Sequence, residues 1–203
     1  EQDIRHLIAE VRTGATPRRA FIQRMVGLGL TAPMASMMLM HAGVAQAQGA
    51  PSTYKPTKRG GGGTLKVLWW QGATLLQPHF AGGTKDQEGS RIFYEPLAGW
   101  DNDGNLVPVL AAEVPTRENG GLSADGKSVT WKLKKGGNWH DGKPFTADDC
   151  VFTAEFAKEP TTAAVTSGVY KDLKVEKVDS HTVRVTFAKA TPFWATAFVA
   201  AEG

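Results

Sequence analysis

Two pairs of neighbouring ionisable residues are the places in this sequence where acid–base chemistry would be sought. His140 precedes Asp141, as a base precedes its orienting carboxylate, and Asp148 precedes Asp149, as in a carboxylate pair. The first pair lies on an Asp-Gly turn, where adjacent side chains hydrogen-bond locally. The second pair opens a predicted helix, where carboxylates cap free amides and interact favourably with the helix dipole. We therefore predict structural roles for both pairs and no catalytic residue.

The other residues with catalytic or metal-binding potential are isolated. Cys150 is the only cysteine, and none of the five histidines lies at a zinc-ligand spacing. The sequence contains neither G-x-S-x-G nor a P-loop. The turn cluster Trp100 to Asn105 lacks a complete calcium-loop spacing. We predict a buried thiol at Cys150, no metal, no cofactor and no enzymatic activity.

The segment from Ser123 to Ala157 contains the signals that position these residues. Asp125-Gly126 predicts a tight turn, and residues 128–133 alternate apolar and polar side chains, as a half-buried strand does. Asp141-Gly142 predicts a second turn. Thr146 and Asp149 form a capping-box pattern for a helix that starts at Ala147 and stops before Pro160. The residues predicted to face the core from this helix are Val151, Phe152, Ala154 and Phe156.

The order of these signals resembles the solute-binding proteins of ABC importers, specifically the peptide/nickel group, family 5. The signature of that family runs DGK, an aromatic strand, then WHDG-x-P-[FL]-TA-x-D-V. This chain matches it from Asp125 to Phe152, with Cys150 where an aliphatic or small residue is usual. Weaker resemblance extends from about Gly62 to the end of the chain.

The resemblance implies an α/β fold of the type II periplasmic-binding-protein class, with an inserted α+β subdomain. Family members are longer and have two lobes, so residues 64–203 are expected to be the N-terminal part of the solute-binding domain, truncated within lobe one. The implied function is to capture a peptide or similar small solute in the periplasm. Expected partners are ABC permease subunits and, through them, ATPase subunits. A secreted hydrolase with its catalytic half missing and a membrane-anchored sensor are the alternatives.

The resemblance also directs attention to the loop after the first strand. Residues 64–70 are almost continuously apolar, which predicts a strand buried on both faces, and the loop Gln71 to Thr84 would then face the cleft between lobes. Pro78-His79 matches a pair common in the family. Two adjacent glycines allow close approach of a ligand, although a simple turn explains them equally well. The candidate ligand-binding residues are Trp70, Gln71, His79, Gly82, Gly83, Thr84 and Tyr170.

The first 47 residues have the features of an export signal. Arg18, Arg19 and Phe21 resemble a twin-arginine motif, although Pro17 stands where serine or threonine is usual. A weakly apolar segment follows and ends at Ala45 and Ala47, the small-x-small pattern that a signal peptidase cleaves. The alternatives are a transmembrane anchor, which Pro33 and three glycines disfavour, and a core helix, which would alternate polar and apolar faces more clearly. Residues 48–63 are rich in proline and glycine and predict a flexible linker.

Further elements follow from local patterns. Residues 86–97 predict a helix with Ile92, Phe93 and Leu97 on one side, and residues 114–117 predict a strand. Residues 170–178 and 181–187 predict a β-hairpin in which Leu173, Val175 and Val178 oppose Val183, Val185 and Phe187.

Beyond position 48, basic residues exceed acidic ones by one and the signs are interspersed, so no nucleic-acid partner is predicted.

Overall fold

The computed structural model describes residues 2–44, 62–101 and 103–200. Three helices come first: α1 (Gln2–Thr13), α2 (Arg18–Gly27) and α3 (Ala32–His41). A short helix, α4 (Thr84–Ser90), precedes an antiparallel pair of strands, β1 (Ala98–Trp100) and β2 (Leu106–Pro108). The remaining elements are β3 (Ser128–Lys132), α5 (Ala147–Lys158), α6 (Ser167–Tyr170), β4 (Leu173–Asp179) and β5 (Thr182–Phe187).

The three N-terminal helices pack together around a small apolar cluster. Phe21 and Met25 of α2 and Leu39 of α3 are fully buried in it. The opposite side of α3 contributes Met37 and Met40 to the larger core of the chain. α3 therefore connects the two apolar clusters. Within the described ranges, none of the helices combines the length and the apolar character that crossing a bilayer requires.

The export and linker predictions fall partly outside the described residues. Ala45 and Ala47, and residues 48–61 of the predicted linker, are not described. In α2, Arg19 is exposed and Arg18 is partly buried, whereas Phe21 lies in the apolar cluster. The export signal therefore stays a prediction.

The predicted strand at residues 64–70 is wrong for this structure. The segment has no strand hydrogen bonding and is exposed along its length, with Leu65 at 87% and Leu68 at 98% exposure. An apolar run becomes a buried strand only when neighbouring strands bond its amides and carbonyls. No described segment pairs with residues 64–70.

The predicted helix over 86–97 is also too long. α4 ends at Ser90, whose hydroxyl donates to the Asp86 carbonyl at 2.8 Å, and the chain then turns. Gly89 lies so close to Ala73 that a Cβ atom on it would come within 2.8 Å of the alanine methyl. Ile92 and Phe93 are consequently exposed, while Leu97 is buried beside β1. The close contact at Gly89 packs α4 against the preceding loop.

The three-stranded antiparallel sheet has the order β3-β5-β4 and follows the predicted pattern. Leu173 opposes Phe187 and Val175 opposes Val185, as predicted. A bulge between Lys177 and Asp179 shifts the register, so Val178 does not oppose Val183 and is half-exposed. The mixture of helices and small sheets fits the predicted α+β character of this part.

The predicted strand at 114–117 is replaced by a turn held by Asn119. The side chain of Asn119 accepts from the Thr116 amide at 2.8 Å and donates to the Val114 carbonyl at 2.9 Å. Pro115 has no amide hydrogen and cannot donate to a strand ladder. Side-chain bonding therefore satisfies the backbone where a strand was expected.

Helix α5 begins as predicted, and the prediction that Ala154 faces the core is confirmed, whereas the same prediction for Phe152 is wrong. The Thr146 amide donates to Asp149 Oδ2 at 2.7 Å, and the Thr146 hydroxyl accepts from the start of the helix, which completes the capping box. The fully buried positions are Ala147, Cys150, Ala154 and Ala157. Small side chains on this face let the helix axis approach β4 closely. The aromatic residues of α5 are thereby directed away from the sheet.

Trp131 is at the centre of the main core. Its side chain is fully buried on β3, and its ring centroid lies 5.9 Å from that of Trp194. The prediction that Trp131 is a core residue is confirmed. The same prediction for Trp139 is wrong, because its side chain is 43% exposed.

Candidate functional site

An open groove of about 530 Å³ is the main concave surface among the described residues. This volume lies within the range of roughly 300–1,000 Å³ that small-molecule sites occupy. Its lining comes from residues 77–79 and 93–97, the hairpin 137–145 and one face of α5, together with Leu110 and Phe198. Its most characteristic residues are aromatic, namely Phe93, Tyr94, Trp139, Phe145, Phe152, Phe156 and Phe198.

The face of α5 turned away from the sheet supplies one wall of this aromatic groove. Phe152 and Phe156 are one helical turn apart, and their rings stack with centroids 6.1 Å apart. Phe152 is 69% exposed although it belongs to a helix that packs on a sheet. A large exposed apolar side chain in such a position is typical of a binding surface.

The hairpin 138–144 supplies the opposite wall. The Trp139 amide donates to the Lys143 carbonyl at 2.8 Å, and Gly142 closes the turn with φ of +85°, which favours glycine. The Trp139 indole packs edge-on against Phe145 and donates from Nε1 to Asp149 Oδ1 at 3.2 Å. Asp149 therefore caps α5 and orients the indole at the groove.

His79 lies at the inner end of the groove and is buried. Its Nδ1 is 2.7 Å from the Thr166 hydroxyl, and its carbonyl accepts from the Val165 amide at 2.8 Å. Its ring meets Tyr170 edge-on, with centroids 5.7 Å apart. Burial, followed by the positive charge of Arg91, lowers the pKa of His79 below its ordinary value. The imidazole is therefore neutral at neutral pH.

The lowered pKa of His79 predicts that acid destabilises the fold. The unfolded chain takes up a proton near the ordinary pKa of 6.5, whereas the folded chain takes it up only at lower pH. The stabilisation that comes from keeping the buried imidazole neutral is thus complete above the unfolded-chain pKa of 6.5, and it is lost as the pH falls through the lowered pKa of the folded chain. We expect His79→Asn, which keeps a polar group opposite Thr166, to flatten the dependence of unfolding free energy on pH between about pH 7.5 and about pH 5.5.

Urea denaturation at both pH values measures this effect. His140→Asn removes a solvent-exposed imidazole from the hairpin and is the matched control. His41 also has a pKa lowered by burial and by Arg117, and it remains in both variants. An unchanged slope in His79→Asn would show that the buried imidazole is not linked to folding.

Cys150 borders the groove but is chemically inert there. Its side chain is 3% exposed, and burial, followed by the charge of Asp149, raises its pKa to about 12. The thiolate, which is the nucleophilic form, is therefore scarce at neutral pH. The prediction that Cys150 is buried is confirmed.

The structure brings together only two of the predicted ligand-binding residues. His79 lines the groove, and Tyr170 packs directly behind it. Trp70 and Gln71 lie in the exposed segment before α4, outside the groove lining. Thr84 begins α4, Gly83 is its N-cap and Gly82 precedes the cap, and all three are likewise outside the groove lining. Their role in ligand binding stays a prediction.

The loop that carries these residues is tied to α4 by Asp86. The Asp86 carboxylate accepts from the amides of Thr74 at 2.6 Å and Leu75 at 3.0 Å, and Lys85 Nζ donates to it at 2.9 Å. The hydrogen bond from Lys85 and then those from the two amides hold the pKa of Asp86 well below its usual range. A carboxylate thus fixes the backbone of residues 74–75, which directly precedes the groove-lining residues 77–79.

Sequence reasoning missed Trp139, Phe152 and Phe156 as groove residues. The aromatic spacing of four on α5 is visible in the sequence, but on its own it predicts a core stripe. The competing stripe of small residues, Cys150 with Ala154 and Ala157, was the signal that could have corrected this.

Comparison with known proteins identifies the family. Residues 105–202 match the model of the bacterial extracellular solute-binding proteins, family 5, middle region. The glutathione-binding protein GsiB of Pectobacterium atrosepticum is 34% identical over 127 residues, which are 62% of this chain and 23% of that protein. The periplasmic oligopeptide-binding protein OppA of Escherichia coli K12 is 28% identical over 137 residues, covering 59% of this chain and 24% of that protein.

A solved structure shows the same relationship. The binding protein MoaA of A. tumefaciens R10, in complex with mannopinic acid, aligns with a TM-score of 0.53 and 29% identity over 64% of this chain and 27% of that chain. Residues 105–202, just under half of the chain, match the family 5 solute-binding proteins, and the fold of the chain is that of the type II periplasmic binding proteins. Members of this family are extracellular or periplasmic binding proteins rather than enzymes. The chain spans about a quarter of the length of these relatives.

Proposed function

We propose that this protein is the substrate-binding component of an ABC importer and captures a peptide or similar small solute in the periplasm. The observation that carries the proposal is the family match over residues 105–202. The aromatic groove supports it, because small-solute sites are concave and mostly apolar with a few polar groups. Residues 64–203 would form the N-terminal part of lobe one, and capture would require closure of a second lobe over the solute.

Delivery of the solute implies permease subunits and, through them, ATPase subunits as partners.

The candidate ligand-binding residues of the loop, from Trp70 to Thr84, would face the cleft only if residues 64–70 enter a sheet. The exposed apolar side chains of that segment are consistent with such a role in a larger assembly of strands.

Export would use the twin-arginine route with cleavage after Ala47. Arg18, Arg19 and Phe21 would be read by the export machinery before the chain reaches the periplasm. N-terminal sequencing of the periplasmic protein tests this. A start at Gln48 supports cleavage, whereas an intact N-terminus would favour the membrane-anchored alternative.

Uptake by whole cells tests the function. A strain without the gene should accumulate less of a labelled peptide mixture, and the wild-type gene should restore accumulation. The matched control carries Lys at both Arg18 and Arg19, which keeps the charge but disrupts the predicted export motif. Normal uptake in the deletion strain, together with peptide cleavage by the purified protein, would support the hydrolase alternative instead.

A further inference from the structure

The groove has an asymmetry of charge in addition to its aromatic walls. Two carboxylates line it, Glu95 and Asp149, and among the described lining residues there is no lysine or arginine. Aspartate and glutamate side chains bring negative charge at neutral pH. His79, the buried imidazole of the lining, is neutral there and does not offset them. The groove therefore offers negative charge against an aromatic background.

Each carboxylate is held where a ligand could reach it. Asp149 is fixed by the Thr146 amide at 2.7 Å and by the Trp139 indole N–H at 3.2 Å, so it lies at the edge of the indole ring. Glu95 is exposed and follows Tyr94, whose ring packs on Phe93 with centroids 5.2 Å apart. Among the described residues, neither carboxylate forms a salt bridge with a lysine or arginine.

We propose that the groove selects solutes that carry a cationic group next to an aromatic or apolar one, such as a short peptide with an arginine or lysine side chain. A guanidinium or ammonium group gains from the face of an aromatic ring and from a nearby carboxylate together. An anionic solute would meet two carboxylates and no lysine or arginine among the described lining residues, since Arg91, whose charge acts on His79, lies outside the lining. The inference rests on the proposed solute-binding function, since it names the substrate class of the same site.

Three capped dipeptides test the selection: N-acetyl-Phe-Arg-amide, N-acetyl-Phe-Gln-amide and N-acetyl-Phe-Glu-amide. They share the aromatic residue and have blocked termini, so only the side-chain charge differs. Calorimetric titration of the full chain should show the arginine peptide binding about tenfold more tightly than the glutamate peptide, with the glutamine peptide between them. Added salt should reduce that ratio.

Two variants separate the contribution of charge from that of the aromatic wall. Glu95→Gln should lower the ratio of the affinity for the arginine peptide to that for the glutamate peptide about threefold. Phe152→Ala should weaken the binding of all three peptides about fivefold and leave that ratio unchanged. Both side chains are exposed, so neither change should unfold the chain. The matched controls are Glu176→Gln on β4 and Ile92→Ala, which lie outside the groove lining and should bind as the wild type does.

Equal binding of the three peptides, absence of binding, or an unchanged ratio in Glu95→Gln would overturn the inference. The uptake experiment separates this failure from that of the proposed function. Uptake that depends on the gene, without charge selection by the groove, removes only the inference. Charge selection without any gene-dependent uptake removes the importer function instead.

Discussion

Replacing Trp131 with alanine is expected to lower the free energy of unfolding by about 3–5 kcal/mol, the loss typical of a fully buried tryptophan. Trp131 is the fourth of the five residues of β3, opposite Val183 on β5, and packs on Trp194. Its removal would leave a cavity between the sheet and the segment around residue 194. Equilibrium denaturation in urea measures the loss.

Trp131→Phe should lower the free energy of unfolding less than Trp131→Ala does, for two reasons. It removes a smaller volume, and it removes an indole N–H that has no hydrogen-bond acceptor among the described residues. Trp139→Ala is the positional control, because that side chain is partly exposed. A loss in Trp139→Ala equal to that in Trp131→Ala would contradict the placement of the core.

Replacing Tyr170 with alanine should lower the free energy of unfolding by a similar amount, about 3–5 kcal/mol, because the ring is fully buried between His79 and Phe198. The Tyr170 hydroxyl accepts a hydrogen bond from the Phe198 amide at 3.0 Å. Tyr170→Phe deletes this acceptor and leaves a buried amide unsatisfied, so we expect a loss of about 1–3 kcal/mol.

The Tyr170→Phe variant also decides between two roles for Tyr170. Tyr170 was predicted to bind ligand, whereas its contacts indicate a structural role behind His79. A structural role predicts that Tyr170→Phe lowers the unfolding free energy. Tyr94→Phe is the control, since the structure shows no hydrogen bond to that hydroxyl among the described residues. Unchanged stability of Tyr170→Phe, with altered peptide binding, would restore the ligand-binding interpretation.

The parts of the fold that were predictable are those decided by near neighbours in the chain. The capping box of Thr146 and Asp149 involves residues three positions apart, and the turn at Gly142 is fixed by its own backbone preference. The hairpin of β4 and β5 followed from alternation over a short loop. Its bulge at Lys177 was not visible, because alternation continues through a bulge of one residue without marking it.

The candidate site was not predictable in the same way because its walls are distant in sequence. Whether α5 turns Phe152 or Cys150 toward the sheet depends on how closely the helix can approach β4, which is a property of the packed pair. The groove then arises where this exposed aromatic face meets residues 93–97 and the hairpin 137–145. Only His79 was identified in advance, through the Pro-His pair that the family resemblance singled out.

The exposed segment 64–70 has a practical consequence for handling the purified chain. Seven residues rich in leucine, valine and tryptophan, with Lys66 as their single charge, have the composition of segments that stack into intermolecular sheets. Their backbone amides lack strand partners among the described residues, so another copy of the chain can supply them. Concentrated solutions should therefore self-associate through this segment. Charged residues in place of Leu65 and Leu68, the two most exposed leucines, would act as gatekeepers that raise solubility and leave both apolar clusters intact.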